Sequence, residues 1–248
     1  MHKIGIDVGS TYTKYCVLNE ADEYLELYSE KTPIRQREYF EAKIDELYIR
    51  YPDASVITCG YGRKNIASAK NISELTALAI GCHHLCRGAE IVLDIGGQDT
   101  KIICQEDGKL KEFFINDKCA AGSGMFLESA CKLLEIDFRS LDLTNALIPE
   151  IRLSSVCAVF AQSEIVELIA DNTPPDKIIN AVIWNIFIKS QALLSKVKRS
   201  DILLSGGLAS IPGIERYAGM ALETNCITVK ESAFMSAIGC AVSNAGSQ

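Results

Sequence analysis

The stretch IGIDVGSTYTK, residues 4–14, returns as IVLDIGGQDTK at residues 91–101. Both copies read apolar-Asp-apolar-Gly-(Ser/Gly)-x-x-Thr-Lys, so Asp7 matches Asp94, Gly9 matches Gly96, Thr13 matches Thr100 and Lys14 matches Lys101. In each, an apolar run meets a short glycine turn and leaves as a second strand, TKYCVLNE or TKIICQEDGKLKEFF. The pattern predicts two β-hairpins with small tips, each carrying a carboxylate. Glycines let backbone N–H groups approach phosphate oxygens, and a hydroxyl or lysine adds donors. An aspartate beside such a turn suits Mg²⁺, usually through water, because that ion dehydrates reluctantly. Neither copy is a P-loop or a GxGxxG turn before a helix. One Asp-x-Gly hairpin is a common turn. Two in register point to a nucleotide.

A third element, SDILLSGGLASIPGIERYAGMAL (residues 200–222), predicts an apolar strand, the pair Gly206-Gly207, and a helix with Pro212 near its start. Alone it is as much an ordinary strand-to-helix turn as a place for a flat purine to lie against the backbone. Beside two phosphate hairpins the adenosine role leads. Working outward, REYFEAKIDELYIRY and SELTALAIGCHHLC carry helical patterns around the strand SVITCG. Strands alternating with helices predict an α/β fold with a mixed, largely parallel sheet in each half. The expected boundary lies near Arg87–Ala89, without a Pro/Gly/Ser linker. It separates a first domain, residues 1–88, from a second, 89–232, and the C-terminal helix 233–248 is expected to pack back on the first.

The bulk composition narrows the classes. The chain has 248 residues, 48% of them apolar, which is ample for a buried core. Lys and Arg number 25 against 32 Asp and Glu, and no basic run tracks a phosphate backbone, so nucleic acid is not expected as a partner. The start, MHKIGIDVGS, reaches Asp7 too soon for a signal peptide or membrane anchor. A cytoplasmic location without membrane association is the expectation.

Ten cysteines are many for such a chain, and without an export signal they read as free thiols. Cys16, Cys59 and Cys104 sit in strand-like segments, and Cys131, Cys226 and Cys240 also read as small core hydrophobes. Cys82 and Cys86 match no usual zinc spacing, so core packing is expected there too.

Two cysteines differ. Cys119 in NDKCAAGSGMFLE and Cys157 in RLSSVCAVFAQSEIVELIADN each stand at or just ahead of a predicted helix start, with Ser123 and Ser154 or Ser155 as candidate caps. At a helix N-terminus the macrodipole and free N–H groups favour a thiolate, the form that ligates metal. An iron–sulfur cluster of the 4Fe-4S type takes four thiolates. A C2 dimer supplies them from two cysteines per chain, since an isologous interface presents each ligand twice. On spacing alone, two ordinary buried cysteines remain the simpler alternative.

The two hairpins and the glycine pair, in this order, resemble the actin-like ATPase superfamily, which implies two duplicated domains with Mg-ATP in the cleft between them. More specifically, GIDVGSTYTK, CGYGRKNI, LDIGGQDTK, NDKCAAGSGMFLE, SSVCAVFAQSEIV and LSGGLA resemble the activator component of 2-hydroxyacyl-CoA dehydratases. Its relatives include the ATPase subunits of benzoyl-CoA reductase and the reductases of double-cubane cluster proteins. The resemblance runs from about residue 4 to residue 240. It implies a homodimer that bridges one 4Fe-4S cluster through Cys119 and Cys157. This dimer would take an electron from ferredoxin or flavodoxin and, on ATP hydrolysis, pass it to an iron–sulfur dehydratase or double-cubane cluster protein. By matching position, Asp7 and Asp94 serve Mg²⁺; Gly9, Ser10, Thr11, Lys14, Gly96, Gly97 and Lys101 surround the phosphates of ATP or ADP. Gly206 and Gly207 bound the adenosine site, and Gln98 or Asp99 orients the attacking water.

Two departures stand out: Leu78 occupies a position that is usually His in the family, and KESAFMSAIGCA near the C-terminus lacks the family's usual Pro and Tyr. A small actin-like kinase would share the hairpins without needing the two cysteines, and an actin-like filament protein is a third class with the same fold.

Overall fold

The computed structural model describes residues 1–117, 120–154, 157–198 and 200–243. It divides into two compact units: Met1–Ala89 with Ile103–Glu112 and the chain from Phe234, and Glu90–Ile102 with Phe113–Ala233.

The first unit is built on strands β1 (Lys3–Val8), β2 (Tyr12–Leu18), β3 (Tyr24–Lys31), β4 (Ser55–Cys59) and the short β5 (Lys70–Asn71), in the order β3-β2-β1-β4-β5. β1 is buried from Ile4 to Val8 and pairs antiparallel with β2 and parallel with β4, as expected for a central strand covered on both faces. One cover is α1 (Gln36–Arg50), whose Phe40, Ile44 and Leu47 recur at helical spacing and pack on Ile4, Ile6, Val8, Tyr15 and Val17. The other is made by α2 (Glu74–Leu85) and α7 (Met235–Val242), with Ala237, Ile238 and Ala241 against Cys16 and Leu18.

Glycine makes that second contact possible. A Cβ on Gly5 would lie 1.9 Å from the Ala237 carbonyl oxygen, one on Gly81 2.0 Å from that of Met235, and one on Gly239 1.8 Å from that of Ala77. Backbone therefore meets backbone among β1, α2 and α7. Leu78 is fully buried on α2, so the position that departs from the family is part of the core.

The second sheet takes β6 (Ile91–Ile95), β7 (Thr100–Glu106), β8 (Lys109–Asn116), β9 (Ile202–Gly206) and β10 (Cys226–Ile227) in the order β10-β9-β6-β7-β8. Read from the hairpin side this is the order of the first sheet, strand for strand. The sequence echo is thus a duplication of the whole sheet. In the second unit α5 (Pro175–Leu194) starts at a proline, which is pre-set for a first helical turn, and buries Ile178, Val182, Ile183, Ile186 and Phe187. α3 (Gly124–Leu133), α4 (Ala158–Ala170) and α6 (Ile214–Leu222) complete it. Among the described residues no helix is long and apolar enough to cross a membrane.

Candidate functional site

In the first hairpin, β1 and β2 put Asp7 opposite Lys14 and Val8 opposite Thr13, leaving Gly9, Ser10 and Thr11 in the turn before β2. A Cβ on Gly9 would stand 2.6 Å from the Tyr12 carbonyl oxygen, so the turn admits only glycine there. The Thr32 hydroxyl donates to the Gly9 carbonyl at 2.8 Å. Its one proton is thereby used, and the buried Thr13 hydroxyl donates to Thr32 at 3.0 Å. The Thr32 amide also donates to the Thr11 carbonyl at 2.9 Å. Ser10, Thr11 and Lys14 are half-buried around this tied turn.

On the other side of β1, parallel pairing sets Asp7 beside Cys59. Asp7 is 7% exposed, and the Cys59 thiol donates to its Oδ1 at 3.7 Å. Burial, Cys240 and the neighbouring Asp7 charge push the Cys59 thiol well above its ordinary value, so it stays a donor.

The second hairpin is more tightly charged. Lys101 Nζ lies 3.2 Å from Asp94 Oδ2 and 3.2 Å from Asp99 Oδ1, with all three residues buried. The Gly96 amide donates to the Asp99 carbonyl at 2.9 Å, closing the turn, and Gln98 is exposed at its tip. Asp94, Asp99, Lys101 and Gly96 thus form one constellation, while Gln98 stands outside it.

The carbonyls of this turn are not idle. The Gly124 amide donates to the Gly96 carbonyl at 2.8 Å, and the Met125 amide donates to that of Gly97 at 2.9 Å. The buried Thr100 hydroxyl donates to the Gly122 carbonyl. The first turn of α3 is thereby bonded to the phosphate-type hairpin. Two of its amides, expected from sequence to be free, are spent. Ser123 occupies the N-cap position of α3 without a side-chain capping bond.

The two glycines at the end of β9 have different roles. Gly206 has φ +90°, and a Cβ there would stand 2.1 Å from the Ile95 carbonyl oxygen, so it is required by the β6–β9 approach. A Cβ on Gly207 would meet nothing within 4 Å, which leaves open space for a flat ligand. The duplication repeats this corner: Cys59 ends β4 and Gly60 follows it, as Ser205-Gly206 ends β9, with Gly60 at φ +86°. Sequence comparison of the hairpins alone missed that match, although both pairs stand at the end of the strand that flanks an aspartate strand.

Cys119 lies outside the described residues. Cys157 is exposed and is itself the N-cap of α4, with extended backbone (φ −94°, ψ 138°). Ser154 does not cap α4 but donates to Glu164 Oε1 from its amide at 2.8 Å and its hydroxyl at 3.0 Å; Ser155 lies outside the described residues. The apolar pattern of α4 is real but points largely outward: Ala161 and Ile165 are buried, whereas Val159, Phe160, Val166 and Ile169 are exposed.

Among the other described cysteines, burial pushes the thiols of Cys16, Cys82 and Cys226 up to about 12 and that of Cys131 up to about 11. No group of three or more His, Cys, Asp or Glu able to hold a metal occurs among the described residues.

A model of the BadF/BadG/BcrA/BcrD ATPase family matches residues 4–242. The chain is 32% identical to the activator of lactoyl-CoA dehydratase from Anaerotignum propionicum, over 98% of this chain and 96% of that one. Its structure is similar to that of the activator of the 2-hydroxyisocaproyl-CoA dehydratase from Clostridium difficile with bound ADPNP. There the TM-score is 0.87 at 29% identity, covering 97% of this chain and 93% of the other. A likeness to the MamK double helical filament, at TM-score 0.56, 12% identity and coverage of 96% and 97%, shows the fold alone. The fold is that of the actin-like ATPases.

Proposed function

The chain belongs to the BadF/BadG/BcrA/BcrD ATPase family, and on that premise we propose that its ATP hydrolysis drives low-potential electron transfer to an iron–sulfur partner enzyme. The donor is ferredoxin or flavodoxin. The acceptor is a 2-hydroxyacyl-CoA dehydratase or a related reductase, such as a double-cubane cluster protein. The relatives' names, as activators of dehydratases, support the kind of partner.

Within this proposal the two tied turns receive the phosphates through Gly9, Ser10, Thr11, Lys14, Gly96, Gly97 and Lys101. Asp7 and Asp94 fit Mg²⁺, which takes hard carboxylate oxygens and keeps several waters. Gln98, exposed at the hairpin tip, orients the attacking water; Asp99, held by Lys101, keeps that lysine in register. Gly207 borders the adenosine, and Gly206 shapes the corner beneath it. The division into residues 1–88 and 89–232, with the last helix returning to the first part, and a cytoplasmic location belong to the same proposal.

The donor chemistry fits an iron–sulfur cluster. Cys157 offers an exposed thiol at a helix N-terminus, where a ligand shared with another chain must stand. Two copies related by a two-fold axis bring Cys119 and Cys157 twice, the four thiolates that one 4Fe-4S cluster takes. Such a cluster, when bound, carries single electrons.

The observation that carries the proposal is the pair of hydrogen bonds from Gly124 and Met125 to Gly96 and Gly97. They tie the nucleotide hairpin to α3, the helix that follows Cys119 in the sequence, so hydrolysis has a bonded route to that helix. Purification without oxygen tests it. The expected product is a brown dimer with one 4Fe-4S per two chains, losing its iron in Cys119→Ser and in Cys157→Ser. A colourless protein that phosphorylates a small molecule instead would establish a kinase.

A further inference from the structure

The motif CGYGR, residues 59–63, contributes nothing to the chemistry assigned so far, yet it folds onto the first aspartate. β4 ends beside Asp7, in register with Cys59. The chain then turns at Gly60 with φ +86°, a conformation natural only to glycine. A Cβ on Gly60 would stand 2.7 Å from Asp7 Oδ1 and 2.5 Å from the Val8 carbonyl oxygen. The Cys59 thiol approaches the same carboxylate oxygen at 3.7 Å from within the core. Oδ1 therefore sits in a slot between a thiol and a glycine.

The slot is stitched shut. The Gly62 amide donates to the Val8 carbonyl at 3.0 Å, and Arg63 Nη1 donates to the Gly60 carbonyl at 2.9 Å. Cys59 is fully buried, with the Ser236 carbonyl of α7 as a second acceptor at 4.0 Å and the Cys240 thiol also within hydrogen-bonding reach. A carboxylate is the stronger acceptor, so the single S–H proton goes to Asp7. The second unit, by contrast, uses its matching residue differently: Ser205 donates to the Ser232 carbonyl at 3.2 Å, and Asp94 is held by Lys101.

We propose that the turn Cys59–Arg63 is a positioning device for Asp7, in which the Cys59 thiol and Gly60 fix Oδ1 and with it the orientation of the carboxylate toward Mg²⁺ and its waters. The inference rests on the assignment of Asp7 to Mg²⁺ made above. Cys59 touches neither nucleotide nor ion, and acts through the carboxylate. Partners of this kind typically change metal affinity by about 10–100-fold, and a thiol, as a weak donor, belongs at the lower end.

Calorimetric titration of Mg²⁺ into the full-length protein, purified without oxygen and saturated with ADP, tests this. Cys59→Ala weakens Mg²⁺ binding about tenfold and leaves metal-free ADP affinity unchanged, while Cys59→Ser, which restores a donor, stays within about twofold of the parent. A merely packing role lowers the melting temperature of both variants and leaves Mg²⁺ affinity alone, and that result overturns the proposal. Should Cys59→Ala fail to fold, Cys59→Thr and Cys59→Val, matched in shape, make the same comparison, and equal Mg²⁺ affinities overturn it. Asp7→Asn separates the two layers. If it leaves Mg²⁺ binding intact, the assignment of Asp7 to Mg²⁺ fails and this inference with it. If it abolishes binding while Cys59→Ala does not weaken it, only the positioning role is lost.

Discussion

The Gly124 amide donates to the Gly96 carbonyl at 2.8 Å, joining the first helical residue of α3 to the glycine turn of the second hairpin. A turn that moves with its ligand must carry that helix end with it, or break the bond at a cost of about 1 kcal/mol. The Met125–Gly97 bond and the Thr100–Gly122 hydrogen bond are further rivets in the same place.

Thr100→Val removes the Thr100–Gly122 rivet while keeping the side chain's shape. It should destabilise the fold by about 1–3 kcal/mol, because it leaves the buried Gly122 carbonyl short of a donor. ADP and ATP analogues should still bind. The informative measurement is the rate at which an iron chelator strips the anaerobically purified protein with and without nucleotide. The nucleotide effect is expected to shrink relative to the parent, and an unchanged effect rules out this route.

Lys101 pairs with two buried carboxylates at once. Lys101→Met leaves Asp94 and Asp99 facing each other without their cation, a loss of about 3–5 kcal/mol by comparison with other broken buried pairs. Thermal melting at neutral pH should show a large drop. A melt like the parent's would show that the ion pairs carry no net stability.

The glycine pair offers a sharp contrast. Gly206→Ala forces a Cβ to within 2.1 Å of the Ile95 carbonyl oxygen at φ +90°, and should fold poorly. Gly207→Ala meets open space and should fold normally, with weaker ATP binding. Solubility and ATP titration of the two variants side by side distinguish scaffold from ligand contact.

Thiol chemistry should follow burial. With pKa values near 12, Cys16, Cys82 and Cys226 have almost no thiolate at pH 8, whereas Cys157 is exposed. Iodoacetamide treatment of the iron-free protein, read by peptide mass spectrometry, should label Cys157 well before those three. The raised values also fix a sign for stability: above pH about 9 the unfolded chain loses thiol protons that the folded chain keeps. Stability should therefore fall as pH climbs from about 9 toward 12, as measured by urea unfolding across that range.

How much of this was legible in the sequence depended on the range of the interaction. The two hairpins announced themselves because a glycine turn between apolar runs is a local signal. The same is true of α1, whose apolar spacing is internal to one helix. The docking of α3 on Gly96 and Gly97 was not legible, because backbone donors and acceptors carry no residue code. Nor was the contact of Cys59 with Asp7, which depends on parallel pairing between strands separated by α1. Ser123 takes the expected N-cap position of α3 without a side-chain capping bond, and Ser154 looked like a cap on composition but is claimed by Glu164. That the apolar stripe of α4 points largely outward was not legible either, since periodicity reports a stripe and not what covers it.

The backbone-to-backbone seam formed by Gly5, Gly81 and Gly239 has a consequence for biogenesis. Strand β1 is closed by α7, a helix synthesised only after the whole of the second unit. Vectorial synthesis thus delivers the intervening half, Phe113–Ala233, while the opening half still lacks its lid. A nascent chain truncated before Met235 should leave Cys16 and Leu18 bare to chaperones, and the first unit should become protease-resistant only once α7 has emerged.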